Sequence, residues 1–155
     1  MPRIFVQTLA VPAAAIDGLG HVNNLEFLRW MQDVATLHSA AQGWAFADYQ
    51  RAGAGWVVRS HAIEYLRPAF EGDVLAMLTW VADLGATTST RRTLFRRASD
   101  RRIVARAETR WVFVDYATGR PKRLPAAVRD AFDVVPDGED VVASAGLDAG
   151  TDPSP

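Results

Sequence analysis

The chain predicts an α+β fold in which an antiparallel five-stranded sheet packs against one long helix. Three observations carry the prediction. One extended amphipathic pattern follows a first apolar run. Four β-like runs then succeed one another. The breaks between them are short and carry turn residues, which favours hairpins over parallel crossovers.

Residues 3–11 read as the first strand. Residues 1–15 combine an early Arg3, an apolar stretch and a small-residue run, but Gln7 and Thr8 interrupt it, so a strand is preferred to a secretory leader. Loop 12–23 leads into a helix over about 24–42. Phe27, Leu28, Met31, Val34, Ala35 and His38 share one broad apolar face there, with Glu26, Arg29 and Asp33 opposite. Asn23 suits the N-cap and Gly43 the position past the C-terminus. His38, on the apolar face, reads as a satisfied core histidine.

Residues 44–54 form a connector with a short helical turn near 46–51. The strands follow at 56–67, 73–83, 87–98 and 102–115, separated by Pro68 with Glu71-Gly72-Asp73, by Asp83-Leu84-Gly85 and by Ser99-Asp100. In the last strand Ile103, Ala105, Ala107, Thr109, Trp111 and Phe113 suit the core face. Pro125 to Phe132 suits a short helix. The domain is expected over 1–135. Residues 136–155 hold Asp137, Glu139, Asp140, Asp148 and Asp152 without a basic residue and read as a disordered acidic tail. Apolar residues on both faces of 74–82 imply that the sheet face away from the helix meets another subunit, a symmetric dimer being the default.

Length and composition narrow the function. A chain of 155 residues with 49% apolar content can bury a core in one domain. Its net charge of -1 argues against nucleic acid as a partner. The sequence contains no cysteine, which removes disulfides, thiolate metal sites and a cysteine nucleophile together, and fits a reducing, cytoplasmic setting. No apolar run reaches the ~18 residues of a membrane span, so no membrane partner is expected. Three widely spaced histidines form no metal-binding pattern, and neither a G-x-S-x-G elbow nor a phosphate-cradling loop is present.

The chemistry concentrates in Asp17-Gly18-Leu19-Gly20-His21-Val22-Asn23-Asn24-Leu25-Glu26-Phe27. A carboxylate sits just before a helix start, whose free N–H groups and positive dipole can stabilise an oxyanion. Asp17 is the candidate base or nucleophile. The backbone N–H of Asn24 is the candidate oxyanion donor. His21 either assists Asp17 or holds the loop. Val22 and Asn23 are candidate substrate contacts, as are Arg59 and His61, which lie two residues apart on one strand face. Gly18 and Gly20 permit close approach or positive φ. The arginines from Arg91 to Arg110 form a basic zone that suits either anionic substrate groups or a charged outer sheet face.

This block resembles the D-x-x-G-H-V-N-N-x-x-Y/F signature of hotdog-fold thioesterases, in the 4-hydroxybenzoyl-CoA thioesterase-like superfamily. Ile63-Glu64-Tyr65-Leu66-Arg67-Pro68-Ala69 with Gly72-Asp73, and Phe113 through Pro121 with Leu124-Pro125, match in the same order. The resemblance covers roughly Arg3 to Asp130. It implies a sheet wrapped around a central helix and dimers joined edge to edge, often paired into tetramers, with active sites at the dimer interface. It also implies hydrolysis of acyl-CoA or acyl-carrier-protein thioesters without metal or organic cofactor, CoA or phosphopantetheine being part of the substrate. On the same basis Asp17 is the catalytic residue and the Asn24 N–H the oxyanion donor. Gly20-His21-Val22-Asn23-Asn24 departs from the Pro-Ala-Gly form of aromatic-acyl relatives and points toward aliphatic acyl groups. Two alternatives stand beside hydrolysis: a hotdog acyl-thioester dehydratase or hydratase, and a non-catalytic acyl-thioester binding module.

Overall fold

The computed structural model describes residues 4–145. Strand β1 (Phe5–Ala10) leads through a 3-10 turn (Ala13–Ala15) to helix α1 (Asn24–Ala41) and the short helix α2 (Phe46–Ala52). Strands β2 (Ala54–Tyr65), β3 (Val74–Leu84), β4 (Thr88–Arg97) and β5 (Ile103–Asp115) follow. Helices α3 (Ala126–Arg129) and α4 (Gly138–Ala145) complete the described chain. The sheet order is β1-β3-β4-β5-β2 with antiparallel pairing throughout. The expected architecture is therefore present, with β1 and β2 at the two edges.

Helix α1 starts where the sequence places it. The Asn23 side chain accepts from the Leu25 N–H at 2.9 Å, satisfying one orphan donor of the first turn. Past its end Gly43 adopts φ 91°, a left-handed conformation that favours glycine. The buried face consists of Phe27, Trp30, Met31, Val34, Ala35 and His38. It packs on Leu75, Met77, Phe95, Ala105 and Ala107 of the sheet. A fully buried Leu75 contributes ~1.5–3 kcal/mol by leaving water.

Three register shifts bend the sheet, between Val81 and Asp83, Phe95 and Arg96, and Val58 and Ser60. The shift at Phe95/Arg96 alters the expected alternation of the last strand. Val104 joins the helix-side core, while Ile103 packs against the opposite cluster.

The sheet face away from α1 also differs from expectation. Trp80, Leu78 and Ala76 pack against Val135 and Val142 of the chain's own C-terminal segment. Residues 138–145, assigned by composition to a disordered tail, form α4. Two observations explain the order: Val142 is buried, and Arg106 pairs with Glu139 at 2.9 Å. One of the acidic residues that discouraged a structured reading, Glu139, thus meets an arginine of the sheet. The rest of the expected tail, 146–155, lies outside the described residues.

Candidate active site at the start of the long helix

The Asp17 loop is a closed turn. Ile16 and Val22 form a β-bridge, the Asp17 N–H donates to the His21 carbonyl at 2.8 Å, and the Gly20 N–H donates to the Asp17 carbonyl at 3.1 Å. The Asp17 carboxylate completes it. Oδ1 accepts from the Leu19 N–H at 2.8 Å and from the His21 N–H at 3.2 Å. Oδ2 takes no hydrogen bond among the described residues. Asp17 is half-buried. One oxygen thus fixes the side chain while the other remains available for chemistry. Gly20 turns the loop at φ 82°; Gly18 does not need a positive φ.

The second sequence block anchors this loop. The Val22 N–H donates to the Ala69 carbonyl and the Val11 N–H to the Asp73 carbonyl, each at 2.8 Å. Arg97 ties the same turn, donating to the Pro68 carbonyl at 2.9 Å and pairing with Asp73 at 3.2 Å. Ala69 is buried beneath it.

Of the expected site residues, Asp17, His21, Asn23 and Asn24 gather at the beginning of α1. The Asn23 side chain is used as the cap, and its N–H donates to the Ala15 carbonyl at 2.8 Å. The N–H of Asn24 has no acceptor among the described residues, as an oxyanion donor requires. The His21 ring packs edge-on against Phe70 with centroids 5.4 Å apart, and it makes no hydrogen bond to Asp17 among the described residues. Val22, expected as a substrate contact, is turned inward: its side chain is 3% exposed within the main core, where it holds the loop down.

Arg59 and His61 do not share a face. The register shift between Val58 and Ser60 puts Arg59 on a bulge, where it is exposed. His61 turns toward α1, its Nδ1 2.9 Å from the Thr109 hydroxyl and its Nε2 3.4 Å from the Gln32 amide. Burial lowers the His61 pKa. Tyr65 was not singled out by the sequence, yet its hydroxyl donates to the Asn24 carbonyl at 3.1 Å and ties the end of β2 to the helix start. Its position two residues beyond Ile63, on the same strand face, is the signal that could have found it.

The basic zone is largely neutralised within the chain. Arg92 and Arg110 pair with Glu108, Arg97 with Asp73 and Asp100, and Arg106 with Glu139. Arg91 points inward and is buried. Among the described residues no cluster of metal-ligating side chains occurs, and no helix is long and apolar enough to cross a membrane.

A five-stranded antiparallel sheet around one long helix, with a carboxylate loop at the helix start, defines the hotdog class. The chain belongs to the thioesterase-like superfamily, whose family model matches residues 11–132. Several solved structures share the fold. One is a 1,4-dihydroxy-2-naphthoyl-CoA thioesterase from Synechocystis, 20% identical, with TM-score 0.77, covering 83% of this chain and 94% of that one. Another is a hypothetical protein from Staphylococcus aureus in complex with CoA, 16% identical, with TM-score 0.78, covering 83% and 80%. A third is a DHNA-CoA thioesterase from Staphylococcus aureus, 15% identical, with TM-score 0.76, covering 92% and 95%. No curated protein sequence matches this chain.

Proposed function

We propose that this chain is an acyl thioester hydrolase that cleaves acyl-CoA or an acyl-carrier-protein to free acid and thiol. The observation that carries the reading is the pairing of a half-engaged Asp17 carboxylate with an unsatisfied Asn24 N–H at one helix start. A thioester carbonyl is strongly electrophilic and thiolate leaves readily, so the site needs only a base or nucleophile and an oxyanion donor. Asp17 takes a proton from a water whose oxygen attacks the carbonyl, or its carboxylate attacks the carbonyl itself and forms a mixed anhydride that water then hydrolyses, releasing the free acid and restoring Asp17. The Asn24 N–H stabilises the tetrahedral oxyanion, whose collapse expels thiolate. One such donor contributes ~3 kcal/mol, about a hundredfold in rate. No metal or organic cofactor enters this scheme. His21 acts through the loop, donating its N–H to Asp17.

The reading extends to a homodimer in the cytoplasm, formed through β2 and able to pair into a tetramer. β2 is a twelve-residue edge strand with an unpaired side. Leu19, Leu25, Tyr65, Leu66 and Phe70 are exposed around the Asp17 loop and await cover. Tyr65 lies at the start of α1, while Trp56, at the other end of β2, lies near Ser39 in the last turns of α1. Two-fold antiparallel pairing of β2 with its copy brings the Trp56 end of one chain to the Tyr65 end of the other. Each Asp17 loop would then face the far end of the second copy's helix.

The test is thiol release from acyl-CoAs running from acetyl to stearoyl, with benzoyl and hydroxybenzoyl beside them. The thioesterase names of the fold neighbours, and the CoA complex among them, support starting with CoA thioesters. The departure from the Pro-Ala-Gly form favours aliphatic groups, while those named neighbours act on aromatic ones, so the panel separates the two. Asp17→Asn keeps an acceptor for Leu19 and His21 and should fold normally, with turnover down a hundredfold or more. Near-normal turnover in a folded Asp17→Asn protein would sink the catalytic role. A new double bond instead of free thiol would favour the dehydratase alternative. Acyl-CoA binding with no product would favour the binding module.

A further inference from the structure

A cavity of about 160 Å³ lies at the opposite end of α1 from the Asp17 loop, between the last turns of that helix, α2 and the sheet. Ala35, Thr36 and Ser39 line it, eleven to fifteen residues beyond Asn24, or roughly 16–22 Å along the helix axis. Half of its wall is aromatic, with Trp44, Trp56, Trp111 and Phe132 prominent. About 150 Å³ of apolar cavity accommodates one benzene ring. The space is therefore sized for a single ring or a short chain.

The polar groups of this cavity are lopsided. Arg91 lines it while 7% exposed. Its Nη1 donates to the Thr79 hydroxyl at 3.2 Å and lies 2.8 Å from His38 Nδ1. Burial, and then the positive charge of Arg91, hold the His38 pKa down at about 3, so His38 is neutral and accepts this bond. Burial lowers Arg91 itself only to about 10, so it remains a cation at neutral pH. Neither partner carries a negative charge. Among the described residues no carboxylate pairs with Arg91, and none lines the cavity. Nε and Nη2 of Arg91 have no protein acceptor among the described residues. Trp111, another wall, has a buried Nε1–H without an acceptor. The Tyr49 hydroxyl, bonded to the Ser39 hydroxyl at 2.7 Å, completes the polar side.

A buried cation without a counter-charge is costly, and so is a buried N–H without an acceptor. One carboxylate oxygen pair can relieve the first through charge-assisted bonds from a planar guanidinium. We propose that this cavity is a binding site for a small apolar carboxylate of about benzoate size, its ring among the tryptophans and its carboxylate on Arg91. The site is distinct from the Asp17 loop of the same chain, and the assignment stands without the hydrolase reading.

Benzoate is the probe, and benzamide its neutral match in shape. Trp44, Trp56 and Trp111 report binding through their fluorescence. Wild type should give saturable quenching with benzoate and at least about tenfold weaker binding of benzamide. Arg91→Met should weaken benzoate about tenfold or more and leave benzamide unchanged. Thr36→Trp, at an exposed helix position on the cavity wall, serves if Arg91→Met fails to fold, and should also block benzoate. Arg29→Gln, at an exposed position of α1 away from the cavity, should bind benzoate as wild type does. No saturable quenching by benzoate overturns the proposal, as does equal binding of benzamide, or benzoate binding that survives the folded variants. Titration of benzoate into thioester turnover assigns the source of the carboxylate. Competition marks the far end of a substrate's acyl group, and its absence marks a separate ligand; both support the site.

Discussion

Asp17 meets a structural requirement of its loop and, in the proposed function, a chemical one as well. Its Oδ1 closes the loop by accepting two N–H groups, and this is why a loop aspartate and a catalytic aspartate look alike in sequence. His38 presents the opposite case. It was legible as a core histidine from its helix face, but its partner Arg91 lies 53 residues away and no local pattern announces the pair. The pair has a pH consequence. His38 titrates at about 3 when folded and near 6.5 when unfolded, so from pH 6.5 downward the unfolded chain binds a proton that the folded chain refuses. Stability should fall as pH drops through that window, by at most about 1.4 kcal/mol for each unit, and be flat above it. Denaturant unfolding at a series of pH values should show this slope, and His38→Gln should lack it. An identical acid slope in both proteins would rule His38 out as its source.

At the scale of elements, the cap and the docked helix decide most. Asn23 was read from sequence as the N-cap because short polar side chains satisfy orphan donors, and the structure bears this out. Asn23→Ala should cost about 1 kcal/mol in thermal or denaturant unfolding. It should also lower thioester turnover, since the cap fixes the neighbouring Asn24 N–H. Unchanged turnover with the expected stability loss would detach the cap from the chemistry. Helix α4 was missed because its acidic, small-residue composition reads as disorder. Its order depends on burying Val142 and on Arg106 across the sheet. Gly138 lies close against the sheet, and a Cβ there would overlap the Trp80 indole. Gly138→Ala should destabilise the protein by about 1–3 kcal/mol and raise amide exchange over 138–145. Exchange no faster than in wild type would show that the contact can relax.

For the whole molecule, the open edge of β2 is the chief unfinished business of a single chain. A buried homodimer through that edge would cover its unpaired groups and the exposed Leu19 and Leu25 beside the Asp17 loop. Sedimentation should give twice the 17.0 kDa of one chain. Specific turnover should fall on dilution as the dimer dissociates, because the proposed site faces the second copy. A monomer with full specific activity at all concentrations would refute the interface. The apolar outer face of β3, which first pointed to a partner, packs against the chain's own C-terminal segment.

The sequence by itself determined what local chemistry can determine. The helix limits follow from Asn23 and Gly43, the hairpins from short turn-rich breaks, and the motif loop from Asp17 and Gly20. Each of these features is decided by residues within a few positions of one another. Tertiary structure decided what depends on distant contacts. It turned Val22 from a candidate substrate contact into a core residue, and a one-residue bulge separated Arg59 from His61, since a slip of one reverses every later side chain in a strand. It also drew Arg91 out of a surface arginine run into a carboxylate-free cavity. The physical reason is common to all three. Burial and register are set by which segments meet across the sheet, and the chain's local pattern does not encode that meeting.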